Sequence, residues 1–400
     1  MSITLENELL IRLSKVTLSD DDIRAFKDAF DLIDWERLIT TGLNHGTYLL
    51  LAHNLRKLVT VDFAQSNQWI SKLLSKCAHV ETKNLYLTEE LLSLVSMLRE
   101  EGIESVPYKG PVLAQQAYGD VKLRPFVDLD LIVEREKFSS VVSVLQKNGY
   151  AATEHRQGDL TAAFLSSKIY RRLAYETEFC RKPKSPTRPV TQVDVHWEVA
   201  PPHTLTVDFA ELLQCSRKTN VFGTNLQFLE PEMLLLIICA HANKHRWSQL
   251  KWAIDVAELL RQNREFNWNE AYKIARRHGI SRKIDLALLI AQKHLHLKVP
   301  QEISDRISRE RALVIEAEKV KQDWFSTDEV KFNLRAYWRI ELLTTDNMAG
   351  RARFMRGELF EPTVPTYFAC PLPDSLFSFY RIIHPTRMIY QFIASKVIPL

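Results

Sequence analysis

The stretch 108-YKGPVLAQQAYGDVKLRPFVDLDLIV-133 decides the fold, because its apolar period changes within a single short passage. Residues 112–117 are a helix-like run opened by Lys109-Gly110-Pro111, whereas Leu129, Leu131 and Val133 alternate with Asp128, Asp130 and Ile132 as a strand does. On a strand, residues two apart share a face, so Asp128 and Asp130 point one way while Leu129 and Leu131 point into a core. Two carboxylates at the end of a strand repel each other unless a cation lies between them, and magnesium is the hard ion that oxygen ligands prefer.

Working outward, 103–108 has the length and β-branching of a strand, after a helical pattern that stops at Glu101-Gly102. Residues 138–148 form an amphipathic helix closed by Gly149, and 170–181 with 190–199 make a hairpin around a loop rich in proline and lysine. In its second strand Gln192, Asp194, His196 and Glu198 share one face, and Val193, Val195, Trp197 and Val199 the other. A third carboxylate flanked by valines fits a central strand beside the first pair. Upstream, 20–99 repeats apolar residues at helical spacing, and helices return from Pro231, a residue suited to a first helical position, with Glu232 in the first turn. The final helix is expected from Pro385, after an irregular wrap over 359–373. The expected organisation is therefore a helical unit over 1–99, an α/β core over 100–200, and a helical unit with an irregular tail over 201–400, an α+β fold with a small mixed sheet.

Composition bounds the function. A hydrophobic share of 46% with 26% charged residues describes a folded chain, and a net charge of +4 over 400 residues does not demand nucleic acid as a partner. The five cysteines, Cys77, Cys180, Cys215, Cys239 and Cys370, are scattered without C-x-x-C spacing, and no signal-like segment opens the chain, so a reducing cytoplasm is expected. The longest apolar run, 233–240, is too short to span a bilayer.

Taken together, 108–133, the following 193-VDVHWEV-199 and the later 241-HANKHRWSQLKWAIDVAELL-260 resemble the uncharacterised nucleotidyltransferase family of the polymerase-β superfamily. That family carries a K-G turn, an L-R-P segment, a D-x-D strand and a later hydrophobic-acidic-hydrophobic-His-Trp strand. The resemblance implies a polymerase-β-type nucleotidyltransferase core. It makes Gly110 the phosphate-binding turn, Asp128 and Asp130 the first two metal ligands, and Asp194 the third catalytic carboxylate. It implies magnesium, with manganese as the alternative, and transfer of a nucleoside monophosphate from a nucleoside triphosphate, ATP by default. The acceptor is an unidentified hydroxyl compound, small molecule, carbohydrate or protein, and pyrophosphate leaves.

Pro111 stands where the wider superfamily has a glycine or serine, so phosphate contact is expected to fall on Lys109 and Arg124. Arg124 has the alternative of pairing with Asp120 or Asp128. His196 is expected to orient a carboxylate or to pack under Trp197. His241 and His245 lie four apart, which is zinc-ligand spacing, but no glutamate lies between them and Lys244 opposes a dication. They are expected instead, with Lys244, Arg246 and Lys251, to contact nucleotide or acceptor, with Asp255 as a helix-borne partner and Trp247 and Trp252 packing. Arg181, Lys182, Lys184 and Arg188 could form a nucleic-acid patch, although a solvated hairpin tip explains them as well. A catalytically weak nucleotide-binding regulator and a nucleic-acid-binding interaction protein are the competing readings.

Overall fold

The computed structural model describes residues 4–153, 161–183, 188–221, 223–326 and 334–397, so Lys184 lies outside the described residues. The chain divides into two compact units: residues 1–91, 108–127 and 228–346 form the first, and 92–107, 128–227 and 347–400 the second.

The second unit holds a five-stranded mixed sheet. Its strands are β1 (Ser105–Pro107), β2 (Asp128–Val133), β3 (Ala151–Ala152), β4 (Glu176–Arg181) and β5 (Thr191–His196), in the spatial order β1-β2-β5-β4-β3. β2 and β5 run parallel, and the other pairs are antiparallel. The third carboxylate is thus on the central strand, as its valine flanks predict. Leu129, Leu131, Val193, Val195 and Phe179 are fully buried on one face of β2, β5 and β4. The helix Phe138–Lys147 is capped by Asn148 and followed by Gly149 in the left-handed region, and it sets Phe138 against Trp197 with ring centroids 4.4 Å apart. Two expectations need correction. Residues Tyr170–Leu173 form a helical turn before the β4 strand begins, and Tyr170 closes that turn onto the sheet by a 2.8 Å hydroxyl bond to Thr177. The last helix spans Tyr380–Val397 with Pro385 inside it, and the expected wrap contains the short helix Val364–Ala369. Residues 216–229 contribute a separate two-stranded sheet, β6 (Ser216–Val221) with β7 (Thr224–Leu229).

The first unit is helical. Pro231–Lys244, with Pro231 in its first turn, Leu250–Gln262 and Ser281–Leu295 pack on one another, and Leu250–Gln262 also packs on Gly110–Tyr118. Their seams are apolar runs such as Leu234, Leu235 and Leu236, and Ile284, Ala287 and Leu288. Inside this core Lys283 bonds Glu341 at 2.6 Å, and the same glutamate accepts from Asn243. A pair so buried must keep both partners, because removing one leaves an uncompensated charge. Near the N-terminus, Phe26, Phe30, Trp35 and Phe63 form an aromatic cluster with centroids 4.8–6.3 Å apart. No helix among the described residues is long and apolar enough to cross a membrane.

A histidine clamp fastens the later helices within the second unit. His203 bonds Glu358 through Nε2 at 2.9 Å and Glu361 through Nδ1 at 3.2 Å. Burial opposes its charge, yet the two carboxylates outweigh burial and push its pKa up to about 9. Gly357 faces the ring, and any Cβ there would overlap the His203 side chain. Because the folded pKa lies above the unfolded one, the clamp stabilises fully below the ordinary histidine value and is lost as pH rises through about 9. His203→Gln is expected to remove about 1–3 kcal/mol near pH 6 and much less near pH 10. Urea unfolding of both proteins at the two pH values measures this, and equal losses at both would refute the clamp.

Candidate active site

Register turns the D-x-D alternation into a cluster. Parallel pairing of β2 with β5 places Asp130 opposite Asp194, and antiparallel pairing of β5 with β4 places Glu178 opposite Asp194 and Glu176 opposite His196. One face of three adjacent strands therefore carries Asp128, Asp130, Asp194, Glu176 and Glu178 around a single histidine. A carboxylate oxygen of Asp130, one of Asp194 and a ring nitrogen of His196 all lie within 4.8 Å of one another. Asp128 is at the outer end of β2, half-buried, and is not in that closest group.

His196 holds the cluster together. Its Nε2 lies 3.2 Å from Asp130 Oδ1 and its Nδ1 lies 3.1 Å from Glu176 Oε2. The ring thus orients a carboxylate, as the sequence suggests. Glu176 also accepts a hydrogen bond from Tyr175, whose hydroxyl is pushed far up first by burial and then by the Glu176 charge. Burial, then the charges of Asp130 and Asp128, raise the Asp194 carboxyl to about 7, with Glu176 adding to the effect and His196 opposing it. Asp194 Oδ1 is buried and has no hydrogen-bond partner. An orphaned buried oxygen beside two further carboxylates is a site that a divalent cation satisfies. The donors fit magnesium or manganese through the oxygens of Asp130 and Asp194, while the imidazole fits the orienting role that commonly supports a ligating carboxylate.

The first unit concentrates the opposite sign. Gly110 takes a left-handed φ of 52°, which explains the glycine, and Pro111 occupies the first turn of the helix that begins there. Lys109 caps that helix with its Nζ 4.7 Å from the Tyr108 ring centroid. Burial, then the charges of Lys109, His245, Lys244 and Arg124, hold the His241 imidazole well below its ordinary range. His245 is exposed and stacks on Trp252, centroids 5.0 Å apart, with Lys251 over the same indole. Arg124 forks onto Asp255 at 2.7 and 3.0 Å, and Tyr118 donates to the same carboxylate at 2.7 Å. Asp255 is thus the partner of Arg124 and Tyr118.

The turn that displays His245 is strained. Arg246 and Trp247 are consecutive non-glycine residues with φ of 56° and 55°. Such backbone persists only where its surroundings overdetermine it. Here Trp247 is fully buried, its N–H bonds Ala242 O at 2.8 Å, and its carbonyl accepts from Trp324 Nε1 at 2.6 Å. His45 adds a second brace, since its Nδ1 accepts from the Leu250 N–H and its Nε2 then donates to Trp324 O at 2.8 Å. Trp247 packs as its sequence context suggests, whereas Trp252 stays half-exposed as a platform.

Of the residues singled out in the sequence, the structure brings Asp130 and Asp194 together in the second unit. It gathers Lys109, Arg124, Lys244 and His245 around His241 in the first. Arg181, at the edge of the suggested nucleic-acid loop, stacks on Tyr150 at 4.6 Å. Sequence reasoning missed Glu176 and Glu178. Their signal was the same two-residue alternation as Asp128 and Asp130, with Thr177 and Phe179 between and after them pointing into the core. His45 gave no signal, because its partners are remote in sequence.

Comparison with known proteins gives the following. Residues 31–296 match a protein-family model described as an uncharacterised nucleotidyltransferase. No curated protein matches the chain. Among solved structures, an antigenic nucleotidyltransferase-like protein from Paracoccidioides brasiliensis is similar over 56% of this chain and 92% of its own, with 16% identity and a TM-score of 0.35.

The raised Asp194 carboxyl has a measurable consequence. Its folded pKa of about 7 exceeds the unfolded 3.8, so it binds a proton in the folded state that the unfolded chain has lost, and metal-free stability falls as pH rises between those values. Asp194→Asn is expected to match wild type near pH 4 and to exceed it by about 1–4 kcal/mol near pH 8. Thermal melts without metal check this, and a mutant no more stable than wild type at the higher pH would contradict the burial of a strained carboxylate.

Proposed function

This chain belongs to the uncharacterised nucleotidyltransferase family, and we propose that it moves a nucleoside monophosphate from a nucleoside triphosphate, ATP by default, to a hydroxyl acceptor. The reading is carried by the in-register pair Asp130 and Asp194, with a buried oxygen that lacks a partner. In the proposed reaction the acceptor oxygen forms a bond to the α-phosphorus, the bond from that phosphorus to the bridging oxygen breaks, and pyrophosphate leaves with the electron pair. The hydroxyl proton passes to solvent.

Asp128, Asp130 and Asp194 are assigned to magnesium, with manganese as the alternative. Bound there, the ion would neutralise triphosphate charge and lower the pKa of an acceptor hydroxyl. His196 keeps Asp130 in one orientation. Lys109, the amide turn at Gly110, Lys244 and His245 are assigned to the nucleotide, since charged donors suit phosphate and the His245–Trp252 stack offers an aromatic face. Arg124 adds to that positive field while bonded to Asp255. Catalysis on this reading is placement and charge neutralisation. The cytoplasm is the proposed compartment, consistent with free cysteines at all five positions.

Two measurements test the assignment. Asp130→Asn is expected to lower magnesium-dependent pyrophosphate release, assayed over the four nucleoside triphosphates with a cell extract as acceptor source, on the order of a thousandfold while the protein stays folded. Full activity in that variant would sink the metal assignment, and no release from wild type under any triphosphate would favour a nucleotide-binding regulator. Lys109→Ala and Lys244→Ala should each weaken binding of a non-hydrolysable triphosphate with magnesium by about 1.5–3 kcal/mol in calorimetry, since each removes a charge-assisted phosphate contact. Wild-type affinity in both would move the phosphate site elsewhere.

A further inference from the structure

The helix Tyr380–Val397 of the second unit has two unlike faces. One is anchored: Tyr380 and His384 are buried, and His384 Nδ1 lies 2.8 Å from Thr366 Oγ1 of the helix Val364–Ala369. The other faces solvent. Ile382, Ile389 and Tyr390 are 65%, 59% and 72% exposed, Thr386 lies exposed between them, and the exposed Phe379 immediately precedes the helix. At 3.6 residues per turn, residues 382, 386, 389 and 390 fall within an arc of about 100°. Single exposed apolar residues are ordinary, whereas an aligned stripe of them marks a surface that something covers.

Charge identifies what covers it. The same helical period puts Arg381 at one edge of the stripe and Arg387 at the other. Arg381 is exposed, and Arg387 is half-buried with Nη1 3.5 Å from Thr366 Oγ1. Residues 375–400 contain three Lys or Arg and no Asp or Glu. Two copies of the chain joined through this stripe would face arginine with arginine, with no carboxylate in the segment to answer them. A bilayer with anionic headgroups offers hydrocarbon to the isoleucines and phosphate to the arginines at one boundary, and an amphipathic tyrosine suits that depth.

We propose that this face docks the protein on an anionic lipid surface. The helix lies in the plane of the interface, because its buried face stays packed on the second unit. Ile382, Ile389 and Tyr390 enter the boundary between headgroups and acyl chains, and the flanking arginines meet lipid phosphates. Neither nucleotide nor metal takes part, so the docking is independent of the transferase reading.

The test is flotation of the full chain, without nucleotide or metal, with vesicles of phosphatidylcholine alone or with about 30% phosphatidylglycerol. Wild type should bind the anionic vesicles at least about tenfold more tightly than the neutral ones, and raising salt from about 0.05 to 0.5 M should release it. The double variant Ile382→Asn, Ile389→Asn leaves net charge unchanged and should bind at least about tenfold more weakly. Arg381→Gln should cost about fivefold. Circular dichroism shows whether each variant is folded. No binding by wild type, equal binding to both vesicles, or wild-type affinity in the folded asparagine variant overturns the inference. If that variant does not fold, wild-type affinity in Arg381→Gln overturns it instead. A concentration-dependent dimer that the asparagine variant loses, with no vesicle binding, overturns it and gives the face to a second copy.

Discussion

The parallel pairing of β2 with β5 is the constraint from which the second unit follows. It brings Asp130 and Asp194 side by side, at a separation where two ionised carboxylates are unfavourable, and buries leucines and valines of both strands on the reverse face. The apolar face stabilises the pairing that the acidic face opposes. At roughly 25 cal/mol per Å² of buried apolar surface, a few fully buried leucine and valine side chains outweigh the repulsion of one carboxylate pair. The remaining tension is relieved when Asp194 is protonated, and a cation held between the two carboxylates would relieve it equally.

Each unit carries one patch in which charges of a single sign predominate. The second unit collects carboxylates on one sheet face around His196, which bonds Asp130 and lies within ion-pair distance of Glu176. The first collects Lys109, Lys244, His245 and Arg124 about the neutral ring of His241, and holds the displaying turn in a backbone conformation that only a buried Trp247 and its braces from Trp324 and His45 sustain. Arg124 illustrates how such a field is kept without an isolated buried charge, since Asp255 and Tyr118 complete its bonding. Strain and unpaired polar atoms in otherwise well-packed units mark these two patches as candidates for function.

Much of the candidate site was legible because strand alternation is local. Asp128, Asp130 and Asp194 could be found from a two-residue period, and Gly110 and Pro231 from the backbone each demands. His196 as an orienting residue followed from its place in the same period. Glu176 and Glu178 obey that period too. The helical turn at Tyr170–Leu173 obscures where their alternation begins. Pro385 lies inside a helix, where the rule that proline ends a helix predicts a boundary.

The sequence by itself determined most of the element types, the faces of the strands and the order of the chemistry along the chain, because these depend on residues a few positions apart. Tertiary structure alone decided that Asp130 lies opposite Asp194, that Glu176 reaches His196, and that Arg124 answers to Asp255. It also decided how far Asp194 and His203 depart from their ordinary pKa values, in opposite chemical senses: the acid is deprived of water among like charges, while the base is enclosed by two carboxylates. Register and desolvation sum over neighbours that are distant in the chain, so no local pattern carries them.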